Sequence, residues 1–219
     1  MNNKKAFIFD LDGVIVDTAK YHFLAWQKIA QELNINFTHE DNELLKGVSR
    51  VRSLDIILGL GNVTVSQADK DKFLIQKNEE YLSYLVDMDE SEVLPGVLKI
   101  LQLLKEKNQG IALGSASKNA RPILEKTGVL SYFDVIVDGN DVTNAKPDPE
   151  VFLKAAQSLN IDPKNSIVFE DSVAGIQAAN IAEMVSVGIG EETILHEADH
   201  IFKDFTQITT SFINDLISQ

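Results

Sequence analysis

Residues 5–9, KAFIF, form a short apolar run that stops at Asp10-Leu11-Asp12-Gly13, the pattern of a buried strand delivering carboxylates at its C-terminal end. Open α/β sheets place their ligands at that end. From Asp17 to about Val86 the apolar positions recur at helical spacing only, and predict helices over 19–33, 39–46, 50–60 and 67–86. Two of these open on capping boxes, Thr38 to Asp41 and Ser66 to Asp69.

Beyond the acidic stretch Asp87 to Glu92 the pattern changes to strands alternating with helices. Pro95 is read as opening a helix to about Lys107. Strands follow at 111–113, 135–137, 166–169 and 185–187, separated by helices at 121–127, 150–159 and 173–179. Such alternation requires right-handed crossovers and a parallel sheet. Strand 5–9 is expected to join that sheet. The fold class is therefore α/β, a Rossmann-like doubly wound parallel sheet formed by residues 1–14 and 91–219, with an inserted four-helix cap over 15–90. Two linkers would let the cap close over a ligand and exclude water.

Composition narrows the chemistry. The chain of 219 residues contains no cysteine, which excludes disulfides and thiolate metal sites and leaves oxygen or imidazole ligands, as magnesium or calcium prefer. Lys and Arg number 20 against 33 Asp and Glu, a net charge of −13 that disfavours nucleic acid and anionic membrane surfaces as partners. The apolar run after MNNKK is interrupted at once by Asp10 and Asp12, as no secretory signal would be, and no run of 18 apolar residues exists to span a membrane. A cytoplasmic monomer is expected, taking a small anionic substrate where a few basic side chains converge.

Four strand ends carry groups suited to phosphoryl transfer: Asp10 with Asp12, Ser115, Lys146 just beyond a loop, and Glu170 with Asp171. On a parallel sheet they share one edge. Three converging carboxylates call for a divalent cation, and magnesium fits because it takes few carboxylates and completes its shell with water and phosphate oxygen. A carboxylate such as Asp10 can then attack phosphorus, Asp12 can exchange a proton with the other oxygen, and Lys146 and the Ser115 hydroxyl can hold the transferring oxygens. A lone Asp-x-Asp is more often a solvated turn; the buried strand before it and the three further matches set this one apart.

FIFDLDGVIVDT, the strand-end Ser115, Lys146-Pro147 and FEDSVAGIQAA resemble the four motifs of the haloacid dehalogenase superfamily over nearly the whole chain. The resemblance implies an Asp10 nucleophile, an Asp12 general acid/base, Ser115 and Lys146 on the phosphate, and Mg2+ on Asp10, Glu170, Asp171 and the Asp12 backbone carbonyl. DTAKYHFLAWQ, LKGVSRVRSL, Lys77-Asn78 and SASKN at 115–119 are similar to segments of the β-phosphoglucomutase family, whose substrate is a sugar phosphate. Gly114 and Val51-Arg52 depart from that family's pattern, where alanine and acidic residues are expected.

Thr18, His22 and Trp26 recur at i, i+4 and i+8 and share one face of the first cap helix. Trp26 is read as core packing; Thr18 is suited to a helix start, and the resemblance assigns it to hinge or substrate contact; His22, beside the hinge, is read with the resemblance as coupled to Asp12 and Lys77. Gly47 and Ser49 are sufficiently explained by a tight turn and an N-cap; the resemblance nonetheless implies that Gly47 and Val48, like Lys77, meet substrate. Arg50 is suited to bidentate contact with a second phosphate, and Ser117, Lys118 and Asn119 are expected to share that grip. A sugar-phosphate phosphatase, a receiver-type phosphoacceptor and an inactive binding protein are the alternatives; the cap, Asp12 and the intact motifs weigh against the last two.

Overall fold

The apolar run ending at Phe9 becomes strand β1, Ala6–Phe9, buried along its whole length. In the computed structural model, which describes residues 4–219, β1 lies at the middle of a six-stranded sheet. Its neighbours are β2, Gly110–Gly114, and β4, Ser166–Glu170, which place Leu113 and Phe169 beside Phe9. The order β3-β2-β1-β4-β5-β6 is completed by β3, Val135–Val137, β5, Val185–Ile189, and β6, His200–Phe202, all parallel. Because β1 is central, the two carboxylates that follow it emerge at the point where chain order reverses, the usual position of a ligand in such sheets.

Helices cover both faces. Apolar side chains of α5, Val97–Glu106, α6, Ala120–Lys126, and α9, Thr210–Ser218, pack with Phe7, Phe9 and Phe169 on one face. On the other, α7, Glu150–Ser158, and α8, Val173–Ile181, pack with Ala6, Ile8 and Val168. The doubly wound architecture is as the alternation predicts.

The inserted helices are α1, Ala19–Glu32, α2, His39–Glu43, α3, Arg50–Leu60, and α4, Gln67–Tyr84. They bury an apolar cluster of their own, built on Phe23, Trp26, Ile29, Leu54 and Ile57. The chain enters and leaves this insertion side by side. Val16 bridges Val93 in antiparallel fashion, the Asp17 N–H donates to the Glu92 carbonyl at 2.9 Å, and Leu94 N–H donates to Ile15 at 3.0 Å. Lys20 and the Tyr21 hydroxyl both donate to the Glu92 carboxylate, at 2.8 and 2.6 Å.

The structure departs from the pattern at four places. Helix α2 stops at Glu43 rather than Lys46, because Gly47 takes φ +72° and the residues before it form turns. The Ser66 cap is half a box: its hydroxyl accepts the Asp69 N–H, but the Asp69 carboxylate takes the Ser66 hydroxyl instead of the backbone N–H. Pro95 stands outside α5, whose N-cap is Gly96 at φ +90°; a side chain there would reach within 2.7 Å of the Phe205 backbone. Finally, β6 and α9 are elements that no pattern predicts beyond residue 187.

Candidate active site

Asp10 leaves β1 still tied to the sheet, its N–H donating to the Phe169 carbonyl at 3.0 Å. The turn that follows brings Gly13 to φ +80°, and a Cβ there would lie 2.3 Å from the Asp171 carboxylate. The carboxylate of Asp171 thus rests on a bare backbone. Glu170, at the end of β4, is fully buried and sits in the same way against Gly175, where a Cβ would come within 2.0 Å of its carboxyl carbon. Ser172, the N-cap of α8, holds one Glu170 oxygen through its N–H at 3.2 Å and through its hydroxyl.

These supports bring Asp10, Glu170 and Asp171 together, with one ligand oxygen from each lying within 4.8 Å of the others. Lys146 is buried beside them, donating to Asp10 at 2.6 Å and to Glu170 at 3.0 Å. Its ion pairs keep the ammonium protonated despite burial. Burial pushes the Asp10 carboxyl up, with Lys146 pulling against it and Asp12 adding to the rise. Burial and then the neighbouring Asp10 push Glu170 up to about 8; Asp171 is pushed up to about 7 by burial, although Lys46 pulls it down. Three hard oxygen donors in a buried, proton-retaining cluster fit a divalent cation, whose charge would replace the protons. The Asp12 carboxylate is not among them; it turns away, towards the inserted helices.

That electrostatic conflict carries a prediction. In the folded protein Glu170 and Asp171 hold protons up to about pH 7–8, whereas unfolded carboxyls release theirs near pH 4, so these two groups make a folded state without metal less stable as pH rises through that window, by about a few kcal/mol. A divalent cation must displace those protons. The stabilisation it confers is therefore expected to be small at pH 5 and large at pH 8, read as the difference in Tm with cation and with chelator. A difference independent of pH would dissolve the link between the cluster and the cation.

Asp12 faces a second group of side chains. Thr18 is fully buried and its hydroxyl donates to Asp12 Oδ1, so it serves the carboxylate rather than capping α1. His22 Nε2 lies 3.6 Å from the same oxygen, and its Nδ1 lies 2.8 Å from the Lys77 ammonium. Burial and the Lys77 charge lower His22, which is therefore neutral; with Lys77 donating to Nδ1, the proton is assigned to Nε2, facing Asp12. Burial pushes Asp12 up, but His22, the Thr18 hydroxyl and Lys77 outweigh it and hold Asp12 below the usual carboxylate range. The coupling expected of His22 with Asp12 and Lys77 is present as geometry.

Both groups open into one cavity of about 560 Å³ between the sheet edge and the inserted helices. Gly47, Val48, Arg50 and Lys77 line it from the helices, and Ser115, Ser117, Lys118, Asn119 and Lys146 from the sheet side. Ser115 is buried, its hydroxyl accepting the Ser117 N–H at 3.1 Å. Asn119 donates to Asn78 at 3.2 Å, one bond that crosses the cleft. Another is made by Lys46, which reaches Asp171 at 3.3 Å, and Gly47 lies so near Ser172 that a Cβ would meet its hydroxyl at 2.4 Å. Lys46, Ser172 and Gly175 were not singled out by sequence reasoning. All three stand inside motifs already recognised, Lys46 in LKGVSRVRSL and Ser172 and Gly175 in FEDSVAGIQAA, so adjacency to Gly47 and to Asp171 is the available signal for the first two.

The architecture and site define a class of proteins. The profile of the family described as "Hydrolase: haloacid dehalogenase-like hydrolase" matches residues 4–183, and the chain belongs to that family. Among its relatives, β-phosphoglucomutase of Bacillus subtilis (strain 168) is 39% identical over 213 residues, covering 96% of this chain and 94% of the relative. The crystal structure of β-phosphoglucomutase from Clostridium difficile is 41% identical and superposes with a TM-score of 0.93 over 98% of this chain and 97% of that one. A phosphorylated carbohydrates phosphatase of Thermotoga maritima is 32% identical over 81% of each chain.

Proposed function

We propose that the chain is a magnesium-dependent β-phosphoglucomutase that interconverts β-D-glucose 1-phosphate and glucose 6-phosphate through a phosphorylated Asp10 and a 1,6-bisphosphate. The observation that carries this reading is a single cavity whose wall holds Asp10, Lys146 and Ser115 and, besides these, the further basic and amide side chains Arg50, Lys118 and Asn119. A mutase must hold a second anion while the first reacts, and must do so for either orientation of the sugar. Strong similarity to β-phosphoglucomutases over almost the full chain supports the same conclusion. The proposed division is a core of residues 1–14 and 91–219 and a cap of 15–90; positions 1–3 lie outside the described residues.

In the proposed cycle Asp12 begins as a carboxylate, as its lowered pKa requires. It takes the proton of the sugar hydroxyl as that oxygen attacks the phosphoryl group on Asp10. The Asp10–phosphorus bond breaks, and the Asp10 carboxylate is freed beside Lys146. After the bisphosphate turns over, Asp10 attacks its other phosphoryl group and Asp12 returns the proton to the departing oxygen. Lys146 and the Ser115 hydroxyl hold the transferring oxygens. Thr18 and His22 orient Asp12 and stabilise its charged form. Asp10, Glu170 and Asp171, with the Asp12 backbone carbonyl, would hold Mg2+, which when bound would supply the charge that lets two anions approach.

No helix among the described residues is long and apolar enough to cross a membrane; the proposed setting is the cytoplasm and the proposed state a monomer. The test is incubation with β-glucose 1-phosphate, Mg2+ and a trace of 1,6-bisphosphate, following glucose 6-phosphate and inorganic phosphate together. Glucose 6-phosphate without phosphate release supports the mutase; phosphate release alone makes the protein a sugar-phosphate phosphatase. Arg50→Ala is expected to reduce kcat/KM about 10- to 100-fold, the worth of one or two charge-assisted hydrogen bonds. Unaltered constants would leave Arg50 as an ordinary first residue of α3.

A further inference from the structure

Lys77 is an unusual lysine. It is 2% exposed, yet it forms no ion pair among the described residues. A buried ammonium without a carboxylate at hydrogen-bond distance is costly and ordinarily loses its proton. Burial, and the nearby Arg50, indeed lower Lys77 to about 7, with Asp12 pulling the other way. Its polar contact is the neutral nitrogen of His22.

Two aromatic faces lie beside the Lys77 ammonium. The Lys77 nitrogen lies 4.6 Å from the ring centre of Tyr81 and 5.2 Å from that of Trp26, both inside the range where a ring's negative face attracts a cation. The same Tyr81 ring lies 4.1 Å, centre to centre, from the His22 imidazole. Tyr81 is fully buried, and its hydroxyl has no hydrogen-bond partner among the described residues. The face of this ring is therefore what its surroundings use. Trp26, which helical spacing assigns to core packing, belongs both to the apolar cluster of the inserted helices and to the cavity wall.

We propose that Tyr81 and Trp26 are positioning residues that form an aromatic box for the Lys77 ammonium and, through the Tyr81 face, for His22. A carboxylate in their place would neutralise Lys77 and compete for the proton that His22 presents to Asp12. Ring faces hold a cation without cancelling its charge, so Lys77 remains available to Asp12 and to an anion entering the cleft. His22 keeps Nε2 towards Asp12 because Lys77 occupies Nδ1. The box thereby sets the orientation of the chain of contacts running from Lys77 through His22 to Asp12. The inference rests on the proposed role of Asp12 as the proton carrier.

Trp26 is the single tryptophan, so its emission reports the box directly and needs no substrate. An ammonium against an indole face quenches it. Lys77→Met, which keeps the side-chain length, is expected to raise the emission at pH 6, where the wild-type lysine is charged; unchanged emission would overturn the box. Tyr81→Phe keeps the ring face and is expected to retain wild-type emission and most of kcat. Tyr81→Leu, checked for folding by circular dichroism, is expected to raise emission and to lower kcat about tenfold while KM changes little. A phenylalanine variant as impaired as the leucine one would assign the effect to the hydroxyl and overturn the proposal. If wild-type protein releases only phosphate yet the emission pattern holds, the box stands and the mutase reading alone falls.

Discussion

Asp10→Asn is expected to abolish both covalent phosphorylation and turnover, a loss of about 10⁴-fold or more, because an amide nitrogen or oxygen cannot form the acyl phosphate. The loss will not come from unfolding. Asp10 is buried in a cluster where its charge raises the proton affinity of Glu170 and Asp171, and Lys146 bonds Glu170 as well as Asp10. Removing one negative charge relieves that repulsion and leaves the ammonium partnered, so Tm in the presence of chelator should stay level or rise near pH 7. Phosphorylated-protein mass and a melt, measured on the same sample, check both halves. Retained turnover would remove Asp10 from the role of nucleophile.

Gly175→Ala should be far more damaging than the addition of a single methyl group to a helix ordinarily is. The site is helical and has no unusual backbone angle, so alanine would ordinarily stabilise α8. Here the added carbon would fall 2.0 Å from the Glu170 carboxyl carbon. Backbone on one side and β4 on the other leave the carboxylate as the group that must move. It would then break its bonds to Lys146 and Ser172 and leave buried polar groups without partners. A fall in stability of about 2–4 kcal/mol is expected, together with loss of divalent-cation binding. Denaturant melts and calorimetric titration with Mg2+ measure the two; an alanine variant with unchanged cation affinity would show that the carboxylate is not held as described.

These two cases mark what sequence could and could not convey. The carboxylates of Asp10 and Asp12 were legible because a strand that is buried on both faces reads as an unbroken apolar run, and its abrupt polar end stands out. The helix face shared by Thr18 and His22 was legible from spacing alone. The bond from Thr18 to Asp12 was not, since a threonine one residue before a helix looks the same whether it caps the helix or serves a carboxylate. Nothing local distinguishes Gly175 from any small residue of an alanine-rich helix; its meaning comes from Glu170, five residues earlier, folding back over it. The short strand β6 was missed because three half-buried residues, His200 to Phe202, carry too little pattern to stand apart from a loop. For Trp26 a core position is all that helical spacing conveys; its place on the cavity wall beside Lys77 depends on a residue 51 positions away.

The entry and exit of the inserted helices, paired through Val16 and Val93 and fastened by Glu92, have a meaning for protein engineering. A segment whose two ends already lie hydrogen-bonded together is a cassette: it can be lifted out or exchanged without asking the sheet to alter any strand order. Transplanting another set of helices between these same two junctions would keep Asp10, Lys146, Glu170 and Asp171 with Gly13 and Gly96 on the scaffold side of the cut, but the incoming helices would have to bring their own counterparts of Thr18 and His22 for Asp12 and of Lys46 for Asp171.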